Sequence, residues 1–94
     1  MDAFLDGRSI QSESDFYAAW VGLDGVPEWV GHNLDALWDT ATGLIEHQMT
    51  LYWRHADHSQ TAMGDCFDKI VDVLRESEVE TQGHFQIRLV NALN

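Results

Sequence analysis

A small α/β domain, a parallel sheet with helices packed against it, is the fold this sequence predicts. Three observations carry the prediction. Three strand-like runs, at Ala3–Leu5, Met49–Trp53 and Phe85–Leu89, are separated by stretches with helical spacing. Such alternation favours right-handed crossovers and parallel pairing. The 94 residues suffice for one compact core and not for two of ordinary size, so a single domain over 1–94 is expected. The composition, 45% hydrophobic and 22% charged with four Trp, two Tyr and four Phe, is that of a chain that folds.

The elements follow in order. Ala3-Phe4-Leu5 is a short apolar strand leaving through Asp6-Gly7 into a turn. A hairpin at that pair is the alternative, although Arg8-Ser9-Ile10 makes a weak second strand. Ser12 with Asp15 forms a capping-box pattern before Phe16, Tyr17, Ala19 and Trp20 at helical spacing, and Gly22 and Gly25 end that helix. Asp24 to Gly31, with the single proline Pro27, reads as a loop. Asn33 is a good N-cap for a second helix from Leu34 to about Thr42, stopped by Gly43. Its apolar stripe is Leu34, Leu37 and Ala41 with Trp38 at the margin, while Asp35, Asp39 and Thr42 share the other face. Leu51, Tyr52 and Trp53 give the second strand its content, and His55 to Gln60 follows as a polar stretch. The longest helix is expected from about Gly64 to Thr81, with Phe67, Ile70, Leu74 and Ser77 inward and Gly83 closing it. Phe85, Ile87 and Leu89 alternate with Gln86, Arg88 and Val90 as the last strand.

Five Lys and Arg against sixteen Asp and Glu give a formal charge of −11. Phosphate backbones and anionic lipid repel such a chain, so nucleic acid and membrane are not expected partners. A basic protein is. The lone Cys66 cannot form an internal disulfide, and the sequence shows neither a signal-peptide pattern nor a run of transmembrane length. A cytoplasmic protein is expected.

The acid is clustered. Asp68, Asp72, Glu76 and Glu80 fall four apart along one helical face, with Asp65 beside its start and only Lys69 and Arg75 near enough to offer relief. Each like-charge pair at this spacing destabilises a helix by roughly 0.2–0.5 kcal/mol. Asp35 and Asp39 repeat the device. The plain reading is a pair of solvated faces; the functional one is a surface built to meet a cationic site. Trp29 and Trp38 nearby can stack on a cationic side chain, though Trp38 also fits a core position.

The segment Val26-Pro27-Glu28-Trp29-Val30-Gly31-His32-Asn33-Leu34-Asp35-Ala36-Leu37-Trp38-Asp39 closely resembles the barstar family, intracellular inhibitors of barnase-type ribonucleases. The strongest part is Gly31-x-Asn33-Leu34-Asp35-Ala36-Leu37-Trp38-Asp39, then Thr42-Gly43, with Trp53-Arg54, Arg75-Glu76 and Glu80 in support. The resemblance implies a three-stranded parallel sheet packed by about four helices, and an inhibitor without enzymatic activity or cofactor. It implies that the second helix and the loop before it plug the active site of a basic, secreted ribonuclease in a 1:1 complex, the free protein being a monomer. Asp39 then stands in for the substrate phosphate among catalytic Arg and His groups. Asp35 meets the rim, Trp29 packs on a catalytic His, and Gly31 and Asn33 make backbone and loop contacts. Trp38 and Thr42 belong to the same set, and Glu76 with Glu80 forms a peripheral patch. Val30 and Leu44 stand where the family often has aromatics, at or near the implied interface.

Two rivals come from other classes. Paired carboxylates (Asp35 with Asp39, or the row Asp68 to Glu80) can do acid–base or metal chemistry. His55-Ala-Asp-His58 has a spacing found in zinc sites, with Asp57 and Cys66 as further ligands. Histidines in a polar loop are more often solvated, however, and no nucleophile–base pair or Gly-rich phosphate loop accompanies them, so no metal is assigned. His32 and His84 read as rim or strand-edge residues, and Cys66 as a small, partly buried side chain. The other rival is an interaction module of the same shape, or a toxin-immunity protein, whose partner is not a barnase-type enzyme.

Overall fold

The computed structural model describes residues 1–91; residues 92–94, which the expected single domain takes in, lie outside the described residues. Strands β1 (Asp2–Asp6), β2 (Met49–Arg54) and β3 (Phe85–Val90) form a parallel sheet in chain order. Asp2 pairs with Thr50 in one ladder and Met49 with Phe85 in the other. Between them run helices α1 (Glu13–Val21), α2 (Leu34–Asp39), α3 (Ala56–Met63) and α4 (Asp65–Glu80). The three-stranded parallel α/β fold with four helices is therefore the one expected.

The period-two pattern of the strands decides where the core lies. Ala3, Leu5, Met49, Leu51, Trp53, Phe85 and Ile87 are buried on one sheet face, while Phe4 on the opposite face is half exposed. Phe16 of α1 stacks on Trp53 at 5.1 Å, and Trp53 meets Phe67 of α4 edge-on at 5.0 Å. Three Ser and Thr side chains are also fully buried, and each donates to a carbonyl: Thr40 to Ala36 at 2.7 Å, Ser59 to Gly7 at 3.0 Å, and Ser77 to Val73 at 2.8 Å. Ser59 also accepts from Trp53 Nε1 at 3.0 Å, which ties α3 to the end of β1. At Gly7 a Cβ would run into the His55 carbonyl oxygen, so only glycine allows the two chain segments to pass this closely.

The structure corrects the sequence reading in several places. Asp6-Gly7 leaves β1 through a turn as expected, here the 3-10 turn Gly7–Ser9, and not through the alternative hairpin. Arg8 donates to the Asp6 carboxylate from its backbone and guanidinium, which lowers the Asp6 pKa to about 2. Ser12 caps α1 as expected by accepting from the Asp15 N–H, but the Asp15 carboxylate returns to the Gln11 N–H. The polar stretch after His55 is helix α3, entered through His55 in the left-handed region (φ 52°) and left through Gly64 (φ 59°). Helix α2 does not stop at Gly43: it widens into a π-helical turn over Thr40–Leu44. Cys66 is exposed, because its position on α4 lies off the buried stripe of Phe67, Ile70 and Leu74. Among the described residues no helix is long and apolar enough to cross a membrane.

Candidate functional site

The Asn33 side chain accepts from the Ala36 N–H at 2.8 Å and so fixes the start of α2. A cap of this kind is worth about 1 kcal/mol. It sets the helix phase: Leu37 turns into the core, and Asp35 and Asp39, one turn apart, stand in solvent. Asp35 in the first turn faces the positive end of the helix dipole. The loop before α2 is held by Val26 and Val30, both buried, with the Val30 N–H reaching the Pro27 carbonyl at 3.4 Å. Trp29 between them is 75% exposed. Val30 therefore corrects its expected place at the interface: its side chain belongs to the core, and Trp29 is the side chain the loop displays. Leu44, the other departure, is 38% exposed at the far end of the π turn. Gly31 is open to solvent, but a Cβ there would come within 3.2 Å of the Ala36 Cβ, tight against the first turn of α2.

Asp39 is the last α-helical residue before the π turn. The turn closes with the Ile45 N–H on the Thr40 carbonyl at 3.3 Å. The hydroxyls of Thr40 and Thr42 donate back to the carbonyls of Ala36 and Trp38, both at 2.7 Å. Back-bonding of this kind often bends helices. Half-buried Thr42 thus has its proton committed and keeps only acceptor capacity for a partner.

Helices α2 and α4 touch, and between them lies a shallow groove of about 360 Å³ lined by Trp38, Arg75, Glu76, Val79 and Glu80. It unites three of the expected residues, Trp38, Glu76 and Glu80. Asp35 and Asp39 are on the same α2 outside that lining, and Trp29, Gly31 and Asn33 lead into the helix. Val79, 79% exposed, went unnoticed in the sequence. Its signal was present: it falls off the stripe that buries Leu74 and Ser77, an apolar residue on a charged face.

The ion pairs among the described residues are Arg8–Asp6 and Arg88–Glu78, both at 3.0 Å. Neither involves the acidic row or α2, so Lys69 and Arg75 do not relieve it by ion pairing. Asp35, Asp39, Asp68, Asp72, Glu76 and Glu80 are all exposed, and none forms an ion pair among the described residues. A face of this kind, with an indole beside it, suits guanidinium, ammonium or imidazolium groups. It is shallow, and it lacks the enclosed, convergent groups of an active site. His55 and His58 meet ring edge to face at 5.9 Å, and His55 Nδ1 is buried without a hydrogen-bond partner among the described residues. No group of three or more His, Cys, Asp or Glu able to hold a metal ion occurs among the described residues.

Two comparisons with known proteins bear on this face. A family model described as Barstar (barnase inhibitor) matches residues 1–90. A protein of Bacillus subtilis (strain 168) named "Putative ribonuclease inhibitor YrdF" is 30% identical over 83 residues, which is 88% of this chain and 91% of that protein.

Proposed function

The chain belongs to the barstar family, and from that premise we propose that it inhibits a basic, barnase-type ribonuclease by covering its active site in a 1:1 complex. The observation that carries this reading is the pair Asp35 and Asp39, exposed and unpaired on a helix fixed by Asn33. Asp39 enters the catalytic pocket and takes the place of a substrate phosphate among Arg and His donors. Desolvated there, its carboxylate is worth far more than in water. Asp35 meets the rim, and Trp29 lies on a catalytic imidazole. Gly31, Asn33 and Thr42 supply the contacts between, and Trp38 with Glu76 and Glu80 receives a cationic side chain at the periphery. The role is that of an immunity protein in the cytoplasm, monomeric until it meets its enzyme.

The test is a titration of this protein and of its Asp39→Ala variant into a barnase-type ribonuclease, reading RNA cleavage. Stoichiometric loss of activity with the parent, absent with the variant, is expected. No inhibition by micromolar parent protein overturns the ribonuclease reading and turns attention to another basic partner. Inhibition by both proteins alike overturns the role given to Asp39.

A further inference from the structure

The stretch that joins the exposed Trp29 to α2 is thinly held. Val30 is buried and anchors its start, and Asn33 caps the helix at its end. Among the described residues no hydrogen bond involves the N–H of Gly31 or of His32. One contact fastens the middle: the imidazole of His32, itself exposed, lies parallel to the ring of Tyr17 on α1, with centroids 5.8 Å apart and planes 19° from coplanar. Tyr17 is a packed platform. It is 1% exposed and meets Phe16 edge-on at 5.3 Å.

We propose that His32 is a positioning residue, whose ring stacked on Tyr17 clamps residues 31–33 to α1 and so holds the loop and the first turn of α2 in their binding geometry. The role in binding rests on the ribonuclease reading; the clamp itself does not. The physical argument is one of preorganisation. A loop that presents contact groups from a single conformation loses less freedom on binding. Offset ring pairs supply a stabilisation equivalent to about two- to tenfold in a local equilibrium. A histidine suits the position because its ring stacks at the surface while its nitrogens stay wet.

The experiment compares the parent with His32→Ala and His32→Phe, the second keeping a ring that can stack. The first readout is amide hydrogen exchange of the free proteins. The reporters are Val30, whose N–H bonds to Pro27, and Ala36 and Leu37, whose N–H groups bond to Asn33. His32→Ala is expected to speed exchange at these three about two- to tenfold, with β2 and α4 unchanged, and His32→Phe to restore parent rates. The second readout is dissociation from a barnase-type ribonuclease, faster in the Ala variant by a similar factor and restored in the Phe variant. Unchanged exchange at Val30, Ala36 and Leu37 in His32→Ala overturns the proposal, as does acceleration spread evenly over the whole chain. Restored exchange with unrestored dissociation in His32→Phe also overturns it, because His32 then touches the enzyme directly. If the parent does not bind the ribonuclease at all, the proposed function fails, and the exchange readout still decides the clamp.

Discussion

Replacing Asp39 by alanine should move stability and binding in opposite directions. In the free protein Asp39 is exposed, forms no ion pair among the described residues, and sits one turn after Asp35. Removing the carboxylate relieves a like-charge contact of roughly 0.2–0.5 kcal/mol. Alanine also has the better helix propensity, by up to roughly 0.7 kcal/mol. The free variant is therefore expected to be more stable by about 0.5–1 kcal/mol, or roughly 2–8 °C in Tm for a domain of this size. In the complex the same change removes one side of a desolvated charge pair, a loss of about 2–5 kcal/mol. That is roughly thirty- to several-thousandfold in Kd. Urea unfolding followed by tryptophan fluorescence measures the first effect, and the ribonuclease titration the second. A variant less stable than the parent by about 1 kcal/mol would refute the reasoning, since it would make Asp39 a structural residue whose binding loss came through the fold.

Other expectations follow from single contacts. Ser59→Ala strips the partner from both Trp53 Nε1 and the Gly7 carbonyl and should lower stability by about 2–4 kcal/mol in urea unfolding; a loss under about 0.5 kcal/mol would contradict the bridge. Tyr17 carries a buried hydroxyl with no hydrogen-bond partner among the described residues, so Tyr17→Phe should stabilise the protein by about 1 kcal/mol. Burial, followed by the charges of Glu13 and Cys66, pushes the Tyr17 pKa up to about 12 from 10.0. The unfolded chain then releases this proton first, so the group adds no pH-dependent penalty below pH 10 and an increasing one as pH rises to 12. The parent should show that fall in unfolding midpoints taken across the window, and Tyr17→Phe should lack the part due to this group. Raising salt from about 0.05 to 0.5 M should slow association with a basic ribonuclease about tenfold or more while changing dissociation little. A salt-independent association rate would remove the acidic face from any steering role.

What the sequence could and could not reveal has a physical pattern. The strands are legible because their apolar residues alternate, and β3 begins where the alternation starts at Phe85. The caps of α1 and α2 are legible because Ser12 and Asn33 carry out by themselves the bonding that starts a helix. Helix α3 is hidden because its buried residues are Ala56, Ser59 and Met63, a helical spacing in which two members are small or polar. Its place is fixed by the Ser59 bridge to the other end of the fold, a tertiary fact. The π turn is equally hidden, since its bond from the Ile45 N–H to the Thr40 carbonyl corresponds to no residue pattern in the sequence. Trp29 and Val30 show a similar limit. Two apolar neighbours on a loop look alike in sequence, and only the finished core decides that Val30 goes in and Trp29 stays out. The exposure of Asp35, Asp39, Glu76 and Glu80 is legible because like charges a turn apart on a helix are driven to solvent.

The all-parallel sheet also dictates when this protein becomes competent. Strands that run the same way are never neighbours in the chain: Asp2 finds its partner at Thr50, and Met49 finds its own at Phe85. Pairings so distant close long loops before any ladder forms, which slows folding. During synthesis β1 emerges with nothing to pair with until Arg54 has been added, and β2 stays open on one side until Val90 follows. Helix α4, with Glu76 and Glu80, lies between β2 and β3 in the chain, so the groove it shares with α2 can form only after the chain through Glu80 has been made.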